Sequence, residues 1–150
     1  MSSTPVKEEA GMTAIILGTK TTQEHFEQAS QIFAAVGEVV EVPGSSMDSV
    51  TGLSGSGPAF VALAIEALAD GGVASGIPRE IALQLATQTV LGTATLIKET
   101  GKHPGILKDQ VTSPGGTTIA GVAKLESLGF RSDLIEAVKT ATQRSKELGK

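Results

Sequence analysis

Pro58-Ala59-Phe60-Val61-Ala62-Leu63-Ala64-Ile65-Glu66-Ala67-Leu68-Ala69-Asp70-Gly71-Gly72-Val73 is apolar on nearly every face. A run of this length and pattern reads as a helix buried in a large core or against another subunit. Pro58 fits the first turn, where its missing N–H costs nothing. Gly71-Gly72 and Gly76 weaken or end the helix. Its only acids, Glu66 and Asp70, stand at i and i+4 on one face. They are read either as a paired-carboxylate acid/base site or as a solvated or capping pair.

Immediately before this helix, Gly52-Leu53-Ser54-Gly55-Ser56-Gly57 holds three glycines within six residues. It reads as a loop built for close backbone approach to a ligand, or as a kink or close helix crossing. It is not a Gly-x-Gly-x-x-Gly nucleotide turn, because Gly55-Ser56-Gly57 is followed by Phe60 where the third glycine should stand. Residues 47–51 suit a short helix capped by Ser45 or Ser46.

Further upstream the pattern changes. Residues 1–10 are polar and read as an extended lead that is not a signal peptide. Thr13-Ala14-Ile15-Ile16-Leu17 reads as a short strand ended by Gly18. Thr21 or Thr22 caps a helix with Glu24 in its first turn and Phe26, Ala29, Ile32, Phe33 and Val36 at helical spacing. Glu38-Val39-Val40-Glu41-Val42 reads as a second strand, ended by Pro43-Gly44. Two strands make no stable sheet alone. The β-α-β lead therefore packs on the following helices or is the tail of a larger sheet. The shift near residues 42–45 divides the chain into 1–44 and an all-helical 45–150.

Downstream, Pro78 opens a helix running to about Thr100, unusually rich in hydroxyls and amides at Gln84, Thr87, Gln88, Thr89, Thr93 and Thr95. Gly101 stops it. His103, before Pro104-Gly105, is a proton donor in principle or simply a structural residue in a turn. Residues 104–110 form a short helix, and residues 118–128 another, with Ile119, Val122, Leu125 and Leu128 on one stripe. Ser132 is expected to cap the last helix, whose acids come early and bases late, matching the dipole.

Between these helices lies Val111-Thr112-Ser113-Pro114-Gly115-Gly116-Thr117-Thr118. Two glycines let the main chain approach a ligand, and Ser113, Thr117 and Thr118 present hydroxyls beside a helix start. Free N–H groups there attract anions. The stretch reads as a carboxylate or phosphate cradle, or as an ordinary helix-connecting turn with an N-cap.

Composition narrows the classes. With 12 basic and 16 acidic residues the net charge is −4, and there is no Trp or Tyr, which argues against nucleic acid. There is no Cys, and the two histidines are far apart, so no disulfide, thiolate or metal site is expected. No stretch of about 18 apolar residues is seen, so no membrane span is expected, and the default is a cytoplasmic protein. The 150 residues suffice for a core, but one rich in Gly and Ala leaves little apolar area per helix, favouring burial against a partner subunit.

Several of these stretches resemble one family. The run Val50 through Phe60 with its Thr-Gly-Leu-Ser-Gly-Ser-Gly-Pro core, Ala67-Leu68-Ala69-Asp70-Gly71-Gly72-Val73, Gly76-Ile77-Pro78-Arg79, the continuous run from His103 to Thr118, and Gly129-Phe130-Arg131 resemble the C-terminal part of pyrroline-5-carboxylate reductases. Thr4-Pro5-Val6 and Gly11-Met12-Thr13 look like the segment near the end of that family's nucleotide-binding domain. The resemblance implies a mainly α fold: an interleaved helical dimerisation domain like the C-terminal domain of 6-phosphogluconate dehydrogenase, preceded by a β-α-β remnant of a Rossmann domain. It implies reduction of 1-pyrroline-5-carboxylate to L-proline with NADPH or NADH, the last step of proline biosynthesis. The cofactor would be held mainly by a nucleotide domain whose Gly-rich fingerprint has no counterpart here, so half of the active site is expected in this chain. By matching position, Ser113, Gly115, Gly116, Thr117 and Thr118 bind the substrate, Thr118 aids proton delivery at the ring nitrogen, and the Val111 backbone lies on the nicotinamide side. The implied partner is a second copy, with higher assembly open. A non-catalytic oligomerisation module, or a related imine or keto-acid reductase, are the competing readings.

Overall fold

A computed structural model describes residues 11–149; the polar lead expected over residues 1–10, and Thr4-Pro5-Val6 with it, lie outside them. The described chain is mainly helical behind a β-α-β lead, as the patterning predicts. Its elements are β1 (Gly11–Ile15), α1 (Gln23–Ala34), β2 (Gly37–Glu41), α2 (Met47–Val50), α3 (Gly57–Ala74), α4 (Arg79–Thr100), α5 (Pro104–Gln110), α6 (Thr117–Ser127) and α7 (Phe130–Leu148). A 3-10 turn, Gly44–Ser46, precedes α2, and a π-helical turn, Thr51–Gly55, links it to α3. The chain forms two compact units. One runs to Phe60 and takes in the chain from Leu134 onward; the other is Val61–Asp133.

In the first unit β1 and β2 pair in parallel, with Gly11 opposite Gly37 and Ile15 opposite Glu41. Parallel strands need a crossover, which α1 supplies. Thr22 and His25 cap α1 reciprocally: Thr22 Oγ1 accepts from the His25 N–H at 3.4 Å, and His25 Nδ1 accepts from the Thr22 N–H at 3.2 Å. Helix α1 ends at Ala34, and Gly37 opens β2 with φ +146°. A Cβ there would run into the Gly11 carbonyl, so only glycine lets the strands start side by side.

The glycine-rich stretch before α3 is helical, not a loop. Its backbone bonds widen into a π turn, a form that inserts one extra residue per turn. The reason is a close crossing: a Cβ on Gly52 would overlap Thr142 Oγ1 and lie 2.8 Å from both the Thr142 nitrogen and the Val138 carbonyl oxygen on α7. Ser145 Oγ donates to Asp48 Oδ1 at 2.7 Å and ties the same two segments. Because the helix is continuous through the glycines, the run Gly44–Ala74 holds an 18-residue window of mean hydropathy 1.4. By length and composition it is long and apolar enough to cross a bilayer, which corrects the expectation that no such segment exists.

The second unit is built on small residues. Ala69, Ala82 and Ala86 are its buried core, with Ile65, Val73 and Ile77 packed against them. Gly72 stays inside α3 rather than ending it, and a Cβ there would sit 3.1 Å from the Ala82 Cβ, so α3 and α4 approach to backbone distance. Gly76 and Gly101 make the turns at positive φ. Arg79 meets Asp70 at 2.5 Å between exposed side chains, so Asp70 is an ion-pair partner, not half of a carboxylate dyad. Ser132 lies inside α7 and donates to the Gly129 carbonyl at 2.9 Å, so it is not the N-cap expected of it. Leu63 and Leu68 on α3 remain 66% and 54% exposed, so one copy of the chain leaves much of its most apolar helix uncovered.

Gly52→Ala is expected to lower stability by about 1–3 kcal/mol, because the obstructing atoms include backbone that cannot rotate away. The midpoint of urea unfolding reads this directly, and an unchanged midpoint would show that the crossing is not tight.

Candidate functional site

The loop Val111–Thr118 lies wholly in the second unit, and local chemistry explains its shape. The last turn of α5 closes through the Val111 N–H to the Leu107 carbonyl at 3.3 Å and the Thr112 N–H to the Asp109 carbonyl at 3.1 Å. Thr112 Oγ1 adds a 2.6 Å bond to the Lys108 carbonyl. Ser113-Pro114-Gly115-Gly116 then turns back on itself, with the Gly116 N–H donating to the Ser113 carbonyl at 3.1 Å. Proline fixes φ at the second position, and Gly115 takes φ +68° at the third, the pattern of a type II turn. The turn delivers Gly116 as the N-cap of α6 with extended backbone (φ −78°, ψ 174°).

That cap carries no side-chain acceptor. The first N–H groups of α6 therefore have neither an intrahelical partner nor a capping oxygen, which is the arrangement that attracts an anion. Ser113–Gly116 is at the same time a helix-connecting turn that ends in an N-cap, Gly116. Among the described residues no hydrogen bond is recorded for the hydroxyls of Ser113, Thr117 or Thr118. Ser113 and Thr117 are exposed and Thr118 is half-buried. A Cβ on Gly116 would collide with Ser113 Oγ, so the glycine is what lets this hydroxyl lie over the helix start. The Gly116 N–H is already committed to the Ser113 carbonyl, which leaves the N–H groups of Thr117, Thr118 and Ile119 as the free donors.

Beside the loop is an open cavity of about 440 Å³ between α4 and α5. Gln88, Thr93 and Leu96 line it from α4, Leu107 and Lys108 from α5, and Val111 at its end. The sequence marked the hydroxyl-rich character of α4 without a use for it. Two of those threonines turn inward on their own helix: Thr89 donates to the Leu85 carbonyl at 2.8 Å and Thr93 to the Thr89 carbonyl at 2.7 Å. The spacing that places Thr89 and Thr93 on one face was legible, but their neighbour across the groove, α5, was not. Among the described residues no group of His, Asp or Glu is arranged to hold a metal ion.

Electrostatics join the helices around the loop. Arg131 Nη2 donates to Glu126 Oε1 at 2.7 Å. That hydrogen bond and the guanidinium charge hold the Glu126 carboxyl below its ordinary range, with a smaller contribution from Lys108 on α5. The same contact raises Arg131. Both side chains are largely exposed, so solvent screens the pair.

Comparison with known proteins agrees with this fold. The family model described as pyrroline-5-carboxylate reductase dimerisation matches residues 44–148. A pyrroline-5-carboxylate reductase of Synechocystis sp. is 64% identical over 150 residues, covering 100% of this chain and 56% of that protein. The solved structure of a pyrroline-5-carboxylate reductase from Coxiella burnetii superposes with a TM-score of 0.95 at 38% identity, covering 99% of this chain and 55% of that one. The Plasmodium falciparum pyrroline carboxylate reductase, solved with NADP bound, gives 0.91 at 33% identity over 100% of this chain and 60% of that one. Fold and family match thus define a helical dimerisation domain. The chain belongs to the pyrroline-5-carboxylate reductase dimerisation family. It spans about half the length of the curated relatives it matches.

Two outcomes follow from the geometry. Gly116→Ala should displace the Ser113 hydroxyl and weaken carboxylate binding roughly tenfold or more, the equivalent of one lost hydrogen bond to a charge; calorimetric titration with L-proline measures it. The Glu126–Arg131 pair should add a small, salt-sensitive stability. A carboxyl that titrates lower in the folded chain contributes stability that is fully present above its ordinary 4.5 and lost as the pH falls through its folded value. Glu126→Gln is therefore expected to lower the urea midpoint slightly at pH 7 and not at pH 2, an effect that 1 M salt diminishes.

Proposed function

We propose that this chain is the dimerising, substrate-gripping part of a pyrroline-5-carboxylate reductase, which converts 1-pyrroline-5-carboxylate and NAD(P)H to L-proline. The observation that carries the reading is the uncapped start of α6 behind the Ser113–Gly116 turn, in a chain 64% identical to such a reductase along its whole length. The domain division follows the same reading. Residues 1–44 are the β-α-β end of a nucleotide-binding domain, and 45–150 the helical dimerisation and substrate domain, which agrees with a family match starting at residue 44.

In this reading the substrate carboxylate sits on the N–H groups of Thr117 and Thr118 and the hydroxyl of Ser113. Gly115 and Gly116 serve as the side-chain-free backbone that lets it approach. Gripping the carboxylate fixes the ring, so the reacting carbon meets its hydride donor in one orientation. The Thr118 hydroxyl lies beside the ring nitrogen and helps deliver its proton. Of the described residues Val111 fits the nicotinamide side: it is exposed, apolar and at the edge of the α4–α5 cavity. NADPH or NADH, when bound, supplies the hydride; its phosphates call for a Gly-rich strand-to-helix turn, which these residues do not contain.

The uncovered apolar face of α3, and the family's dimerisation, support a homodimer with interleaved helices, in the cytoplasm. A second copy laid on that face removes the leucines from water, where a bilayer would otherwise be their alternative. Neither a nucleic acid nor a membrane is needed as a partner.

Titration of the chain with L-proline should show saturable binding, weakened about tenfold or more by Ser113→Ala or Thr118→Ala. In the enzyme that carries this chain, Thr118→Ala should lower kcat roughly a hundredfold if its hydroxyl moves the proton, whereas Ser113→Ala should act mainly on KM. Absence of pyrroline-5-carboxylate-dependent NAD(P)H oxidation would defeat the proposal.

A further inference from the structure

Helix α5 has seven residues, too few to hold itself together in water, yet it carries the loop's first residues on its last turn. Its start is held by one side chain. His103 Nδ1 accepts a hydrogen bond from the Gly105 N–H at 3.1 Å, and the His103 carbonyl accepts from Ile106 at 2.9 Å and Leu107 at 3.3 Å. Pro104 has no N–H, so Gly105 presents the first donor the helix must satisfy. The ring lies directly over this residue: a Cβ at position 105 would stand 3.1 Å from Nδ1 and 3.4 Å from Cε1. At the other end, the bonds from Val111 to Leu107 and from Thr112 to Asp109 and Lys108 tie the loop to the same short helix. Lys102 Nζ, donating to Gln110 Oε1 at 3.3 Å, closes the helix end to end. A slackened first turn therefore has only one further turn to cross before it reaches Ser113.

We propose that His103 is a positioning residue for the Val111–Thr118 loop, acting as the neutral Nε2–H tautomer whose bare Nδ1 caps α5, so that its protonation weakens carboxylate binding. The proposal rests on the carboxylate-binding reading of that loop. An imidazolium carries a proton on both nitrogens and cannot accept. It also places a positive charge at a helix N-terminus, where the dipole opposes it. The charged groups on the flanking elements are Lys98 and Glu99 at the end of α4, Lys102 beside it, and Lys108 and Asp109 on α5. The imidazolium would be a fourth cation among them.

The test is calorimetric titration of the chain with L-proline at pH 8 and pH 5, a span in which neither group of proline titrates. Wild type should bind roughly fivefold more weakly at pH 5, the effect of losing one N-cap. His103→Asn offers a capping oxygen that does not titrate, so it should keep the pH 8 affinity at both pH values. His103→Ala should be weak at both. His25→Gln, altering the other histidine cap on α1, should keep the wild-type pH dependence. Nitrogen-15 NMR of the His103 ring should show a bare Nδ1 at pH 8. A His103→Asn variant as pH-dependent as wild type, a His103→Ala variant that binds as tightly as wild type at pH 8, a flattened His25→Gln profile, or a protonated Nδ1 at pH 8 each overturns the proposal. Wild-type chain that binds no proline at either pH overturns the reading of the loop as well, whereas binding indifferent to residue 103 overturns this inference alone.

Discussion

Backbone-distance packing through alanine and glycine is the constraint on which the rest of this chain depends. The buried apolar residues among those described are Ala14, Ala69, Ala82 and Ala86. Small residues let α3 meet α4 at Gly72 and Ala82, and let the π turn meet α7 at Gly52. Such contacts fix geometry tightly, since backbone has no rotamer to yield. They bury little apolar area, since an alanine has a single methyl to remove from water. The larger side chains are thereby left on the outside, Leu63 and Leu68 among them, and one copy of the chain is short of a core. The proposed pairing with a second copy would supply the missing burial, in keeping with the match to a dimerisation family.

The loop follows the same economy of side chains. Its shape rests on Pro114 and on two glycines, one for a positive φ and one for want of room beside Ser113. What it presents is main chain: a helix start with no capping oxygen. As the proposed anion site, a surface made of N–H groups has a fixed direction and no titrating group, so its strength would be set by how well the two short flanking helices hold it. This makes α5, capped by His103, and the Glu126–Arg131–Lys108 group bordering α6 part of the site's construction, although neither contains a residue expected to touch substrate.

Much of this was legible from residue order. Punctuation by Pro and Gly marked α5, and the α1 cap was expected at Thr21 or Thr22, of which Thr22 fills it, because these effects act over three or four residues. The quoted motifs, read as a resemblance, pointed to the family that the comparisons then showed. Other readings failed for a physical reason. The glycine-rich stretch before α3 read equally as a backbone-approach loop or as a close helix crossing, since glycine is a poor helix former; the crossing is what forms, because α7, some ninety residues later, packs where a side chain would otherwise stand. The apolar length of that helix was underestimated for the same cause. Ser132 looked like a cap, but Gly129 had already turned the chain into α7.

The amino-acid sequence by itself determined the local matters: which segments are helical, where φ must be positive, the dipole-matched charges of α7, and the turn at Ser113–Gly116. Each depends on neighbours a few residues apart. Only the tertiary structure decided that Gly52 is a crossing, that Asp70 is claimed by Arg79, that the threonines of α4 face α5 across a cavity ending at Val111, and that α6 begins without a side-chain cap. Those facts depend on segments brought together through space, and periodicity along one helix carries no record of which face of another it will meet.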